Sequence, residues 1–129
     1  MSNHGTFATA INCMDGRVQD AVKNYLKEKY GVDWVDQITE PGPIKILAEK
    51  IPENIVENIK KRVGISVDKH GSKVIAIVGH HDCAGNPVSK EEQIEQLKQA
   101  QKTVESFGFN AGIILLYVEG DWQAVEKIS

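Results

Sequence analysis

The segment 73–78, KVIAIV, restricts the fold more than any other feature, because its last five residues are all apolar. Successive side chains of a β-strand point to opposite faces of the sheet, so a strand of this composition has both faces buried. Strands of that kind occur mainly inside parallel sheets that helices cover on each side. The segment therefore predicts a central strand of an α/β protein.

Strand and helix patterns alternate along the rest of the chain. Apolar runs predict strands at 6–12, 33–39, 73–78 and 111–118, and an edge strand at 123–128. Residues repeating every three or four positions predict helices at 18–30, 52–71 and 89–107, with a short helical turn at 46–50. Helices of this length between strands predict right-handed crossovers in a parallel sheet. We therefore expect a three-layer α/β fold, in which helices flank a central, mostly parallel sheet of 4–5 strands, in a single domain over residues 1–129.

Composition argues against several classes of function. The 15 basic and 18 acidic residues give a net charge of -3, and the lysines are scattered among glutamates, so no basic surface for nucleic acid is expected. No apolar run approaches the roughly 20 residues of a membrane-spanning helix. The sequence MSNHGTFATA lacks the basic start and apolar stretch of a signal peptide. We predict a cytoplasmic protein that binds neither nucleic acid nor membranes, whose two cysteines are buried thiols, metal ligands or catalytic groups rather than a disulfide.

Three potential metal ligands follow two of the predicted strands. Cys13 comes directly after the first strand, and His80 and Cys83 come after the third. In an open parallel sheet, ligands bind beyond the carboxyl ends of the strands where the strand order reverses, so these side chains meet if the two strands are neighbours. Two thiolates and one imidazole suit Zn²⁺, and three protein ligands leave its fourth tetrahedral position open, as in catalytic sites.

Two charged residues, Asp15 and Arg17, follow Cys13 in the segment CMDGR. Asp15 could bind the metal as a fourth ligand and close the site, or it could form a bidentate pair with Arg17 and accept a hydrogen bond from metal-bound water. Two thiolates cancel the charge of zinc, so an ionised acceptor that orients the water would be useful there. The residues alone leave both arrangements open.

The motifs CMDGR (13–17) and GHHDC (79–83) together resemble those of the β-class carbonic anhydrases, which read Cys-x-Asp-x-Arg and Gly-His-x-x-Cys. The resemblance implies a β-carbonic-anhydrase-like fold, zinc bound by Cys13, His80 and Cys83, and a catalytic pair formed by Asp15 and Arg17. It also implies a zinc-dependent lyase that reversibly hydrates carbon dioxide to bicarbonate by zinc-bound hydroxide. A homodimer or a higher homo-oligomer is implied as well.

Three segments depart from the family pattern. Gly16 stands where serine is common, TEPG (39–42) replaces Arg-Asn-Ala-Gly, and Ala84-Gly85 follows Cys83 instead of a leading glycine. We expect these changes to affect the substrate pocket and the subunit interface rather than the metal ligands. Two alternatives therefore stay open: hydrolysis of carbonyl sulfide or carbon disulfide at the same site, and a non-catalytic zinc-binding protein of this fold. His81 has no predicted role, and Trp122 is predicted to be a packing or interface residue.

Overall fold

The computed structural model describes residues 5–129, and within them five strands form one sheet in the order β2-β1-β3-β4-β5. The strands are β1 (Phe7–Cys13), β2 (Trp34–Glu40), β3 (Val74–His80), β4 (Gly112–Val118) and β5 (Val125–Ile128). The first four run parallel, and β5 pairs with β4 in the antiparallel direction at the edge. The predicted α/β fold with a mostly parallel sheet is confirmed.

Helices cover both faces of the sheet. One face packs against α1 (Gln19–Tyr30), and the other against α2 (Pro43–Glu49), α3 (Glu53–Gly64) and α4 (Lys90–Ser106). In β3, Val74, Ala76 and Val78 belong to the core beneath α1, whereas Ile75 and Ile77 belong to the core on the other face. This alternation explains why residues 74–78 of the strand are all apolar, and it gives the three layers that the sequence predicted. No helix within residues 5–129 is long and apolar enough to cross a membrane.

Two helical segments differ from their predicted extents. Helix α2 begins at Pro43 rather than at residue 46, because Gly42 adopts a left-handed φ of +59° and proline suits the first turn of a helix. The segment predicted as one helix over 52–71 is α3 followed by a π-helical turn, Ile65–Lys69. Ile51 continues the four-residue apolar repeat of that segment, but it precedes α3 and is 59% exposed.

The strand order reverses between β1 and β3. The chain leaves β1 for β2 on one side and later enters β3 on the other side, where Thr9 pairs with Ile75 and Ile11 with Ile77. The carboxyl ends of these neighbouring strands carry Cys13 and His80, and each of the two residues is the last of its strand. The fold therefore places both at the position where sheets of this type bind ligands.

Candidate metal centre

The structure brings the three predicted metal ligands together. The Sγ atoms of Cys13 and Cys83 lie 3.9 Å apart, and neither residue forms a disulfide. The potential ligand atoms of Cys13, His80 and Cys83 all lie within 4.8 Å of one another, and all three side chains are buried. Two sulfurs and one ring nitrogen at this spacing form a donor set that could hold a metal ion.

His80 carries a ring nitrogen without a hydrogen-bond partner. Its Nδ1 donates to the carbonyl oxygen of His81 at 2.7 Å, which leaves the lone pair of the neutral ring on Nε2. Nε2 is buried and has no hydrogen-bond partner among the described residues. A buried polar atom without a partner is costly, and a metal ion between Nε2 and the two sulfurs would satisfy it. The residues present therefore fit a zinc ion.

Gln93 of α4 holds the backbone of His80. Its Nε2 donates to the carbonyl oxygen of His80 at 2.8 Å, and its Oε1 accepts from the His80 amide at 3.0 Å. A Cβ atom on Gly79 would lie 2.7 Å from that Oε1, so the glycine leaves room for the contact. Sequence reasoning gave Gln93 no role. Its spacing could have indicated one: Gln93 lies four residues before Leu97 and seven before Ala100, on the buried face of the helix.

Backbone amides surround both sulfurs. The amides of Gly42 and Asp15 donate towards Cys13, and those of Gly85 and Asn86 donate towards Cys83. The Cys83 thiol hydrogen-bonds to Cys13, which lowers the pKa of Cys13, and the same contact raises the pKa of Cys83. Cysteine binds a metal ion as the thiolate, so metal binding at this pair should release thiol protons.

The loops that carry these amides press against each other at two glycines. A Cβ atom on Gly42 would lie 2.9 Å from the carbonyl carbon and oxygen of Gly85, and one on Gly85 would lie 2.7 Å from the carbonyl carbon of Pro41. Both glycines belong to segments that depart from the family pattern. These departing segments therefore lie beside the cysteine sulfurs.

Asp15 pairs with Arg17. Arg17 donates from Nη2 to Oδ2 of Asp15 at 2.7 Å and from Nε to Oδ1 at 3.1 Å, and its backbone amide donates to Oδ1 at 2.9 Å. Hydrogen bonds with Arg17 lower the pKa of Asp15 to about 2, so the carboxyl is ionised at neutral pH. Of the two arrangements that the sequence left open, the structure has Asp15 paired with the arginine rather than grouped with the metal ligands.

Arg17 has two further neighbours that the sequence did not connect with it. Its Nη2 donates to the carbonyl oxygen of Asp82 at 3.2 Å, and its guanidinium lies 4.0 Å from the centre of the Trp122 ring. The ring of His81, which had no predicted role, is exposed and lies 6.0 Å from that of Trp122. Trp122 follows β4 at the same carboxyl edge of the sheet, and this was the signal that could have placed it near the site.

Comparisons with known proteins agree with the fold and show the family. Among solved structures, the fold is similar to β-carbonic anhydrase isoform I from the protozoan Trichomonas vaginalis, with a TM-score of 0.63 at 18% identity over 94% of this chain and 81% of that chain. No curated protein matches the sequence. A family model described as "Putative carbonic anhydrase" matches residues 3–129. Because that match spans nearly the whole sequence, the chain belongs to this carbonic anhydrase family.

Proposed function

We propose that this protein is a zinc-dependent lyase that reversibly hydrates carbon dioxide to bicarbonate. One observation carries the proposal: a ring nitrogen of His80 lies within 4.8 Å of the Cys13 and Cys83 sulfurs, and the buried Nε2 of the same ring has no hydrogen-bond partner among the described residues. The segment that follows Cys13 carries a carboxylate held by an arginine. Membership of a carbonic anhydrase family and the similarity of the fold support the proposal.

Cys13, His80 and Cys83 would hold the zinc ion. Sulfur and imidazole donors favour zinc over magnesium and calcium, which prefer oxygen ligands. Three protein ligands leave one position open. When bound there, zinc supplies the Lewis acidity that makes hydroxide available near neutral pH.

Asp15 would orient the attacking water. Because its pKa is about 2, Asp15 acts only as a hydrogen-bond acceptor at neutral pH, and it can take the hydrogen of a water molecule that faces it. Arg17 occupies both carboxylate oxygens with two hydrogen bonds and thereby fixes the direction of the carboxylate. This pairing favours catalysis over the non-catalytic alternative, in which Asp15 would be a permanent fourth ligand.

The chain would act as a homodimer or a higher homo-oligomer. A cavity of about 440 Å³ next to the glycine loops is lined in part by Gly42, Gly85 and Ile51. Ile51 is largely exposed there, and a second subunit would cover it. Light scattering on the purified protein at several concentrations should give twice the chain mass or more, and a monomer at all concentrations would contradict the assembly.

The test of the proposed function combines elemental analysis with carbon dioxide hydration measured by stopped flow. The purified protein should contain about one zinc per chain and catalyse hydration, whereas Cys83→Ser should lose both, because a serine hydroxyl is a poor zinc ligand. Lys98→Ala, on the exposed face of α4, is the matched control and should behave as the wild type. Equal rates for Cys83→Ser and the wild type would reject the role of the metal.

Two other results would replace the proposal with one of its alternatives. Release of sulfide from carbonyl sulfide or carbon disulfide, without hydration of carbon dioxide, would indicate the hydrolase. One zinc per chain with no hydration up to about pH 9, where even water on free aqueous zinc ionises, would indicate the non-catalytic protein.

A further inference from the structure

The turn between β4 and β5 brings Trp122 onto the Asp15–Arg17 pair. The guanidinium of Arg17 lies 4.0 Å from the centre of the indole ring, which is the distance of a stacked cation–π contact. The ring also lies 6.2 Å from that of His80 and 6.0 Å from that of His81. Trp122, from the turn after β4, thus contacts Arg17, from the segment after β1. Both lie near His80, the potential metal ligand at the end of β3.

The backbone conformation of the turn determines the position of the Trp122 side chain. Trp122 has a φ of +61°, a left-handed conformation that is rare for a large residue. The conformation is fixed by a hydrogen bond from the Trp122 amide to the Glu119 carbonyl, at 3.0 Å, and by Asp121, whose Oδ1 accepts from the amides of Gln123 and Ala124. The turn also packs closely against His81: a Cβ atom added at Gly120 would lie only 3.0 Å from the His81 ring.

Arg17 depends on such neighbours because it is exposed. A free arginine at a surface samples many rotamers, and fixing it in one of them has an entropic cost. Asp15 binds one edge of the guanidinium, and Asp82, also in a left-handed conformation with a φ of +56°, binds another edge through its carbonyl oxygen and its carboxylate. Trp122 covers the flat face, which no hydrogen bond can hold.

We propose that Trp122 is a positioning residue that holds Arg17, and through it Asp15, in the paired orientation. The inference rests on the function proposed above and deepens it, because it assigns a third element of the fold to the same site. Trp122 is not one of the three potential metal ligands, and in this role it does not bind the substrate. Its effect on activity should therefore pass through Arg17, which its ring contacts.

A double-mutant cycle tests that dependence. We compare the wild type, Trp122→Ala, Arg17→Ala and the double variant in carbon dioxide hydration, with zinc content and thermal stability measured for each. Trp122→Ala should lower kcat by about tenfold or more, because small displacements of a positioning group are costly, while zinc stays at one per chain. In the Arg17→Ala background the same change should have less than about twofold effect.

Conservative and distant substitutions control for damage to the fold. Trp122→Phe keeps an aromatic face for the guanidinium and should recover kcat to within about threefold of the wild type. Trp34→Phe, at the exposed tryptophan of β2, should leave kcat unchanged. An equal loss from Trp122→Ala with and without Arg17, or a Trp122→Phe protein that is folded but no faster than Trp122→Ala, would overturn the inference.

A fluorescence measurement tests the contact without relying on activity. In Trp34→Phe protein, Trp122 is the only tryptophan. Adding Arg17→Ala should uncover the indole face and increase its quenching by acrylamide, whereas Lys27→Ala, which removes a positive charge that lies over Trp34 instead, should not. Equal quenching in all three proteins would overturn the inference. An increase for Arg17→Ala in a protein that does not hydrate carbon dioxide would support the contact and reject only the proposed function.

Discussion

The side-chain amide of Gln93 spans the backbone amide and carbonyl of His80, with hydrogen bonds of 3.0 and 2.8 Å. The contact resembles that of a neighbouring strand, but it is supplied by a helix at the end of β3. Gln93→Met should remove both hydrogen bonds at similar side-chain volume and leave two buried polar groups unsatisfied. We expect a loss of about 2 kcal/mol or more in the free energy of unfolding, measured by chemical denaturation.

The same variant should also bind zinc less tightly. Residues that orient a metal ligand typically contribute about tenfold to a hundredfold to metal affinity, which competition with a chelator measures. Gln99→Met, on the exposed face of the same helix, is the matched control and should change neither stability nor affinity. If Gln93→Met and Gln99→Met have the same zinc affinity, Gln93 supports only the fold.

Gly85→Ala tests the contact between the two loops around the cysteines. The added methyl group would lie 2.7 Å from the backbone carbonyl carbon of Pro41, so one loop has to move. We expect a loss of about 1–3 kcal/mol in the free energy of unfolding, together with weaker zinc binding, because the Gly85 amide donates towards the Cys83 sulfur. Denaturation and chelator competition measure the two effects.

Gly16→Ala is the control for this change, since the glycine lies in the same site but its added methyl group would have no atom within 4 Å. It should leave zinc affinity unchanged. An equally mild result for Gly85→Ala would mean that the loops separate easily and do not hold the sulfurs in place.

The sheet and the meeting of the three ligands were predictable because both follow from patterns that span many residues. Apolar strands alternating with helices determine a parallel sheet, and the carboxyl ends of neighbouring strands lie at one edge. That reasoning placed Cys13 and His80 side by side without any knowledge of side-chain contacts. An edge strand was also predicted, at 123–128; it begins two residues later, and its antiparallel direction was not predicted.

The supporting residues were not predictable in the same way. Gln93 is one polar residue in a helix rich in glutamine, glutamate and lysine, and only its contact with His80 distinguishes it. Trp122 contacts Arg17 because its backbone has a left-handed φ. Large residues rarely adopt that conformation, so the sequence gives no reason to expect it there. Whether Asp15 pairs with Arg17 or joins the metal ligands depends on side-chain rotamers, about which residue spacing says nothing.

Asp15→Asn tests the hydrogen-bond acceptor in the proposed reaction. The asparagine amide has the size of the carboxylate, but an NH₂ donor replaces one of its two accepting oxygens. It also lacks the negative charge that Arg17 binds. We expect kcat for carbon dioxide hydration to fall by about a hundredfold, because the attacking water is no longer held in position, with zinc content unchanged. A variant that retains its zinc and its full rate would exclude Asp15 from the reaction.

Arg17 should determine the ionisation of Asp15. With the arginine present, the pKa of Asp15 is about 2, below the value of about 3.9 for an aspartate in an unfolded chain. The pair therefore stabilises the folded protein above about pH 4, and this contribution is lost as the pH falls through about 2. In Arg17→Ala the pKa of Asp15 should rise towards the ordinary value, so that the carboxyl titrates near pH 4.

Carbon-13 NMR of the carboxyl group between about pH 3 and pH 6 measures this shift, because the wild-type carboxylate stays largely ionised over that range while the variant changes state. Lys27→Ala also removes one positive charge, but Lys27 lies over Trp34 rather than at Asp15. This variant should therefore leave the titration of Asp15 as in the wild type. If Arg17→Ala and Lys27→Ala shift the titration equally, the low pKa comes from the overall charge of the protein. A shift confined to Arg17→Ala would instead assign it to the two hydrogen bonds that the guanidinium makes with the carboxylate.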